Sequence, residues 1–347
     1  KTGLAPGEIE KPMEISPEVR AELGRVTRIL ESISEAHAEE FVNTFILGKW
    51  IEYALVDQIP NDEGCKERMT YGNLPSGTKV AQVACTLENR TWVKDSLYQK
   101  MSVRDKTLLH MHEGLRRYPR GLSHLEIAKI TTGLGVGLDH FNRQIHGARD
   151  HLTPAEARSW KALFDTLIIT GIFSDSEPAR SSAAFEYLSK IEVYPAGGAF
   201  VEKGARIDKE AFLGIGSYVT VDSVVREKVE LVNSDTCSFK KRCNIGKNTR
   251  IINSIGGSPG FIAENVTIID SYFYGVFQMA PGVTILNSKI GRINLGSVIM
   301  KAGSSIENSE ITIGGDIILN PDSHLRNIKN AFMAQYYQTW AGAFAGG

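Results

Sequence analysis

The residues with the greatest chemical potential stand together in the run His110-Met111-His112-Glu113. Imidazole and carboxylate groups are preferred zinc ligands, and a His-Glu pair followed by a second His would place both rings on one helical face. Here Arg116 occupies that later position, and a guanidinium does not bind a metal. One hypothesis is a zinc site at His110 and His112 with Glu113 as general base. The other, which we favour, is that His112 and Glu113 form a buried polar pair that ties the helix to the small sheet.

The remaining histidines are spread along the chain in a way that favours structural roles. Seven of the eight precede residue 197, and His324 is the eighth. His140, His146 and His151 could each contribute to a zinc site, but they do not share one helical face, so a solvated helix surface is predicted. The glycines of 133–137 could suggest a phosphate loop, yet they follow a helix rather than a strand and are interpreted as a break or kink.

An internal repeat organises the second half of the chain. From Val201 to Leu231 an aliphatic residue returns at every sixth position, and Cys237 and Cys243 continue the series. A helix or an alternating strand does not repeat at six, whereas a short strand that turns a corner does. The clearest unit is Leu213-Gly214-Ile215-Gly216-Ser217-Tyr218, and this pattern resembles the hexapeptide-repeat superfamily. In that superfamily three units make one triangular coil of a left-handed β-helix.

A second signature recurs once per coil, namely an aliphatic residue followed two positions later by Asn or Asp and then, in all but the last instance, by Ser. Its leading aliphatic residues step by 20, 17, 17, 21 and 19 positions along the series Leu231, Ile251, Ile268, Ile285, Ile306 and Leu325. This pattern predicts a parallel β-solenoid of about seven coils over 197–327, with a small loop in 289–296. A right-handed β-helix is the alternative architecture. Because Asn tolerates the left-handed conformation of a tight corner, the equivalent polar residues should stack as a structural ladder: Asn233, Asn253, Asp270, Asn287, Asn308 and Asn327.

The resemblance to hexapeptide-repeat proteins also implies an activity and an assembly. Acyltransferases of that superfamily typically use a His on a coil as general base, and a helical domain before the β-helix is similar to serine acetyltransferase. In this chain no His lies between Val201 and Leu319, so a divergent acyltransferase is an alternative and not the main prediction. Members of the superfamily are often trimers, which implies a homotrimer here.

The first half is predicted to be an α+β head. Helix-capping residue types and apolar periodicity predict helices that begin near residues 16, 102, 123, 153 and 183. Apolar runs between turn residues indicate strands at 50–56, 80–85 and 91–93. The stretch from Trp92 to Glu113 is similar to exported bacterial proteins of unassigned function whose helix ends in Leu-His-Glu. The predicted segments are a flexible N-terminus (1–15), the head (16–173), a linker with a short helix (174–196), the β-helix (197–327) and a C-terminal cap or oligomerisation tail with helical apolar spacing (328–347).

Composition and charge argue against two partner classes. The 347 residues carry 39 basic and 40 acidic side chains, a formal net charge of -1, whereas nucleic-acid or anionic-membrane binding usually brings a basic excess. No apolar run is long enough to predict a membrane span. A start at Lys1 rather than Met suggests that a leader was removed by processing or that the chain was trimmed. In an oxidising compartment, a disulfide between Cys65 and Cys85 would close a loop of about 20 residues and stabilise the fold by about 3 kcal/mol. The alternative is four reduced cysteines that serve as small apolar residues. We favour the disulfide and therefore predict export to the periplasm or the extracellular space.

Together these patterns predict an exported scaffold or binding protein that is non-catalytic in its coils. A solenoid offers long flat faces along which an extended glycan or another protein can bind. The enzyme alternatives are a metal-dependent hydrolase that uses zinc on the helix of His112 and Glu113, and a divergent hexapeptide-repeat acyltransferase.

Overall fold

The computed structural model describes most of the chain between residues 11 and 339. The described residues are 11–31, 33–48, 51–60, 82–173, 182–221, 223–232, 244–252, 258–269, 272–273, 276–287, 289–290, 297–308, 310–311, 317–326 and 337–339. The described residues up to 189, which we call the head, contain helices and one small sheet. The described residues from 191 onwards, which we call the stack, consist of short strands.

The head helices follow the capping signals of the sequence. They are α1 Pro17–Glu31, α2 Glu35–Phe41, α3 Asp95–Tyr98, α4 Val103–Arg116, α5 His124–Ile145, α6 Pro154–Ile169 and α7 Ser182–Ser189, with a π-helical turn at Val42–Ile46 after α2. The side chains of Ser102, Ser123 and Thr153 accept hydrogen bonds from the backbone N–H groups three residues later, and the last two complete a capping box with a Glu. The predicted starts of α4, α5 and α6 are therefore confirmed.

The predicted break at 133–137 is wrong, because α5 runs through these glycines without interruption. A Cβ atom on Gly133 would lie 2.4 Å from the Cβ atom of Leu163, and one on Gly137 would lie 2.6 Å from the Trp160 ring. The glycines thus allow α5 and α6 to pack closely, which offsets the weak helix propensity of glycine.

A small mixed sheet completes the head. Its strands, in spatial order, are β1 Lys11–Pro12, β2 Glu52–Val56, β4 Arg90–Lys94 and β3 Ala84–Leu87. β2 and β4 are parallel, and the other two pairs are antiparallel. The predicted strands at 50–56 and 91–93 are confirmed within two residues, whereas the third begins at Ala84, later than predicted.

The stack contains three sheets, I to III, in which every strand is parallel to its neighbours, and one mixed sheet, IV. Sheet I contains β7 Arg206–Ile207, β10 Val224–Val225, β12 Asn244–Ile245, β14 Ser258–Ile262, β17 Val276–Met279, β20 Ser297–Met300, β23 Ile317–Leu319 and β25 Tyr337–Thr339. Sheet II contains β8 Phe212–Leu213, β11 Glu230–Val232, β13 Arg250–Ile252, β15 Thr267–Ile269, β18 Thr284–Leu286, β21 Ser305–Glu307 and β24 His324–Arg326. Sheet III contains β16 Tyr272–Phe273, β19 Lys289–Ile290 and β22 Glu310–Ile311, and sheet IV contains β5 Ile191–Val193, β6 Phe200–Glu202 and β9 Tyr218–Val219.

The strand registers reproduce the spacing read from the sequence. In sheet II the paired aliphatic positions are Leu231, Ile251, Ile268, Ile285, Ile306 and Leu325, the same residues whose steps are 20, 17, 17, 21 and 19. Paired residues of β16 and β19 are separated by 17 positions in the sequence, whereas paired residues of β17 and β20 are separated by 21. The step of 21 therefore arises between Ile290 and Ser297. The extra residues therefore fall within the predicted segment 289–296. That the sheets wind into a left-handed β-helix stays a prediction.

The C-terminal segment differs from the prediction where it is described. Tyr337–Thr339 form strand β25, which pairs in parallel with β23. The helical interpretation of the apolar spacing is therefore wrong for these residues, because the ladder of sheet I offers them backbone hydrogen bonds.

Three hydrophobic clusters hold these elements together. The largest lies among the head helices and includes Phe200, Ile215 and Tyr218 from the beginning of the stack. A second follows the inward aliphatic residues of sheets I and II, and a third lies around Trp92 on the small sheet. The head core thus continues into the stack. Within the described part of the chain, none of the helices is both long and apolar enough to cross a membrane.

Candidate functional site

His110 and Glu113 lie on the inner face of α4, where both side chains are at least 97% buried. The Tyr98 hydroxyl lies 3.0 Å from Nε2 of His110, and the Tyr53 ring contacts the imidazole edge-on at a centroid distance of 4.8 Å. The spacing i, i+3 explains why the two residues share a face.

The imidazole of His110 is neutral. Burial, with a smaller contribution from the Arg117 charge, lowers the pKa of His110 to about 3. Burial also raises the pKa of Tyr98 to about 12, so the Tyr98 hydroxyl keeps its proton, and either this hydroxyl or the Nε2–H group of a neutral imidazole can be the donor between them. The other ring nitrogen, Nδ1, is buried and has no hydrogen-bond partner among the described residues.

Glu113 begins a directed chain of hydrogen bonds that reaches the small sheet. Thr86 on β3 donates to the Glu113 carboxylate at 2.6 Å, and the hydroxyls of Thr86 and Thr91 lie 2.7 Å apart. Because the Thr86 proton is used by Glu113, Thr91 donates to Thr86 and in turn accepts from the Arg117 guanidinium. Glu113 and Arg117 are thereby connected through two threonines rather than by direct contact.

Arg117 also fixes the segment that follows α2. Its Nη1 atom donates to the carbonyl of Phe45 at 3.2 Å and to the Tyr53 hydroxyl at 3.4 Å, and its guanidinium lies 5.2 Å from the centre of the Tyr53 ring. The contacts of Glu113 and Arg117 therefore join α4, the π-helical turn and three strands of the small sheet, β2, β3 and β4.

These contacts describe a structural polar cluster that ties α4 to the small sheet. Among the residues that the structure describes, no three His, Cys, Asp or Glu side chains come together as metal ligands. His112 is half-buried and two positions from His110 along α4, which turns it to a different face. The Glu113 contact with Thr86 agrees with the hypothesis of a helix tied to the sheet, and zinc binding stays a prediction.

The second group of histidines is divided between the surface and the interior. His146 and His151 are exposed, as predicted. The prediction of a solvated surface is wrong for His140, which is 1% exposed and contacts Glu156 at 3.2 Å. Hydrogen bonds from the backbone and side chain of Thr153, with help from His140, lower the pKa of Glu156 to about 2. His140 is thus buried against the N-terminus of α6.

Two residues of the predicted Asn ladder are described, and both adopt the left-handed conformation that the prediction requires. Asn287 has φ 42° and Asn308 has φ 41°, and each directly follows paired strands of sheet II. The backbone N–H of Asn308 donates to the carbonyl of Leu286, on the neighbouring strand β18, at 3.1 Å. The other four members, Asn233, Asn253, Asp270 and Asn327, lie outside the described residues.

A second left-handed column, which the sequence analysis missed, lies between sheets I and II. The Asn248 side chain donates to the Asn265 side chain at 3.1 Å. From Asn248 onwards, the backbone N–H of each member donates to the carbonyl of the residue that immediately precedes the previous member in the sequence. The sequence signal that could have identified most of this column is an Asn, Asp or Gly immediately before a small or β-branched residue, which the structure shows to be buried. The members are Lys228, Asn248, Asn265, Gly282, Gly303 and Asp322.

On the outer surface of sheet II, residues of neighbouring strands lie beside one another in register. Leu231 and Ile306 are fully buried, so the residues on either side of each inward aliphatic face outward. Glu230 accepts from Arg250 at 3.2 Å and from Arg149 of the head at 3.0 Å. Burial raises the pKa of Glu230, but the two guanidinium groups outweigh burial and lower it overall. Towards the other end, Ser305 contacts Nδ1 of His324 at 2.8 Å, while Arg326 lies 3.5 Å from Glu307.

The junction between the head and the stack is built by two helix side chains. Gln144 on α5 donates to the carbonyl of Gly197 at 2.8 Å and accepts from the backbone N–H of Ile215 at 3.0 Å. Trp160 on α6 donates to the carbonyl of Gly198 at 2.8 Å and stacks on Phe200 at 5.0 Å. Sequence patterns gave no sign of these contacts, since a Gln or Trp on a helix does not specify its partner.

The cysteines are described in part. Cys85 is fully buried and disulfide-bonded. Cys65, Cys237 and Cys243 lie outside the described residues, so the pairing of Cys85 with Cys65 stays a prediction.

Comparison of the chain with protein-family models, with curated proteins and with solved structures finds no match. The resemblance to hexapeptide-repeat proteins therefore stays a prediction, and the proposals below rest on the residues themselves.

Proposed function

We propose that this chain is an exported binding or scaffold protein, in which an α+β head is joined to a left-handed β-helix of about seven coils. The coils present a binding surface and carry no catalytic group. The observation that carries this proposal is the in-register outer surface of sheet II, which runs from β8 to β24.

The geometry of sheet II suits an extended partner. Neighbouring strands of a sheet lie about 4.8 Å apart, so a polymer along the stack meets an equivalent outward position at each such interval. Thr267 and Thr284 occupy one outward position in adjacent coils, and Ile269 and Leu286 occupy the other. All four are partly exposed. Alternating hydroxyl and aliphatic rows can hydrogen-bond and pack against a glycan or an extended segment of a protein.

The charged side chains along the coils support a structural role for them. Glu230 is held between two arginines, Glu307 lies against Arg326, and Lys247 lies 3.6 Å from Glu264 in the next coil. Such pairs fix neighbouring coils to one another. No contact in the described residues favours the metal-dependent hydrolase or the acyltransferase over binding.

Export and assembly are part of the same proposal. The disulfide at Cys85 supports an oxidising compartment, because disulfides persist mainly in exported proteins. A homotrimer is the proposed assembly, by resemblance to hexapeptide-repeat proteins, and light scattering that gives a strict monomer would contradict it.

The test is a binding assay that compares two faces of the stack. The probes are an array of defined polysaccharides and an array of extended peptides. Thr267→Lys with Thr284→Lys should abolish binding by the purified full chain, since two long charged side chains would obstruct sheet II. The matched control is Gln278→Lys on the exposed outer position of sheet I, which should bind as the unaltered chain does. Binding by the double variant, or turnover of an acyl-CoA donor, would refute the proposal.

A further inference from the structure

The first strand of sheet II is covered by a short segment of the chain, residues 196–199, which we call the strap. The backbone N–H of Leu213 on β8 donates to the carbonyl of Ala196 at 2.9 Å, and the N–H of Ala199 donates to the carbonyl of Leu213 at 3.0 Å. β8 ends sheet II on this side, so the strap occupies the edge at which another strand would pair.

The strap has a shape that only glycine allows at its centre. Gly197 has φ 110° and Gly198 has φ 93°. A Cβ atom on Gly197 would lie 2.4 Å from the carbonyl oxygen of Leu213, and one on Gly198 would lie 2.7 Å from the Ile215 side chain. This conformation turns the strap across β8 and leaves the carbonyls of both glycines facing the head.

Those two carbonyls are the groups that the head engages. Gln144 binds the Gly197 carbonyl and Trp160 binds the Gly198 carbonyl, and Gln144 also accepts the Ile215 N–H. Gln144 is 2% exposed and Trp160 is fully buried. The side chains of Gln144 and Trp160 thus satisfy three backbone groups at this end of the stack, the carbonyls of Gly197 and Gly198 and the N–H of Ile215. Without the head, these groups would need hydrogen bonds from another strand.

We infer that the head and the strap together block the N-terminal edge of the stack against strand addition by a second copy of this chain. The strand that would add is β24 of the second copy, which ends sheet II among the described residues. Leu325 on β24 and Leu213 on β8 stand in the same line of paired residues along sheet II, so the two edges share strand direction and register.

The consequence of opening the edge is set by symmetry. A contact between β8 of one copy and β24 of the next is head-to-tail, and head-to-tail contacts that do not close produce filaments. Because the strap lies on the edge itself, this inference concerns self-association and does not depend on what the outer faces bind.

The experiment removes the head contacts while keeping their shape. Trp160→Phe retains an aromatic ring against Phe200 and loses the indole N–H, and Gln144→Leu loses both of its hydrogen bonds. Amide exchange at Ala199, Leu213 and Ile215 should become about tenfold faster in each single variant, because a buried partner is lost. The double variant should form species larger than the unaltered assembly, with a concentration-dependent mass in analytical ultracentrifugation.

The matched control is Asn142→Leu on the same helix, which likewise removes two hydrogen bonds, one donated to Glu22 and one accepted from Arg25, both inside the head. It should leave strap exchange and mass unchanged. The inference is overturned if the control associates as strongly as the double variant, or if strap exchange does not rise. It is also overturned if exchange rises while the mass stays that of the unaltered chain. Each single variant supplies the exchange result even if the double variant does not fold.

Discussion

The neutral, buried His110 should make the head sensitive to acid. An unfolded chain binds a proton on His110 below pH 6.5, whereas the folded chain does so only near pH 3. Since the folded-state pKa is lowered, the unfolded state binds more protons throughout that window. The free energy of unfolding is therefore highest above pH 6.5 and falls as the pH drops towards 3.

The size of the loss follows from the pKa difference. Each unit corresponds to about 1.4 kcal/mol, so moving from pH 7 to pH 4 should cost roughly 3 kcal/mol through His110 alone. His110→Gln removes the titrating group and retains an acceptor for the Tyr98 hydroxyl. Between pH 7 and pH 4, we expect the free energy of unfolding of this variant to fall by roughly 3 kcal/mol less than that of the unaltered chain.

The assay is urea unfolding at pH 7, 6, 5 and 4, followed by circular dichroism, with the same slope fitted to each protein. His124→Gln, a change at an exposed histidine of α5, is the matched control and should follow the unaltered chain. Parallel pH profiles for the unaltered chain and His110→Gln would refute the assignment of a buried neutral imidazole.

Three further substitutions test separate contacts by the same unfolding measurement. Thr86→Val leaves the Glu113 carboxylate without its donor and should destabilise the head by about 2 kcal/mol; a change below the error of the fit would contradict the directed chain. Gly137→Ala places a Cβ atom 2.6 Å from Trp160 and should destabilise by about 2 kcal/mol, whereas Gly24→Ala enters open space in α1 and should stabilise by up to about 1 kcal/mol. Asn308→Val should cost about 1–2 kcal/mol because Val resists the left-handed conformation, while Asn308→Gly should be close to neutral, and equal costs would contradict the corner assignment.

The parts of the fold that follow from local rules could be predicted. Ser123 and Thr153 begin helices because their side chains bond the backbone three residues later, a rule that needs no tertiary context. The steps of 17 to 21 residues predicted the strand pairs of sheet II, because stacked coils must superimpose their inward aliphatic residues.

The parts that depend on distant partners could not be predicted. Gly137 looked like a helix breaker because the Trp160 ring that fills its space is not visible in sequence. His140 looked solvated because its partner Glu156 belongs to the next helix. In the candidate site, the predicted polar pair was His112 and Glu113, but the structure buries His110 beside Glu113. The two threonines that connect Glu113 to Arg117 come from strands whose pairing no local pattern specifies.

The step of 21 residues in the stack separates chain length from strand register. Four residues more than in the preceding coil fall between Ile290 and Ser297, yet β20 pairs with β17 over four consecutive positions. The strand pairs keep their register on both sides, so the difference in chain length falls between β19 and β20, where a longer connection costs little entropy. The connection between β19 and β20 is therefore the position at which the chain can gain sequence through evolution or accept an engineered insertion, while the sheets on either side continue unchanged.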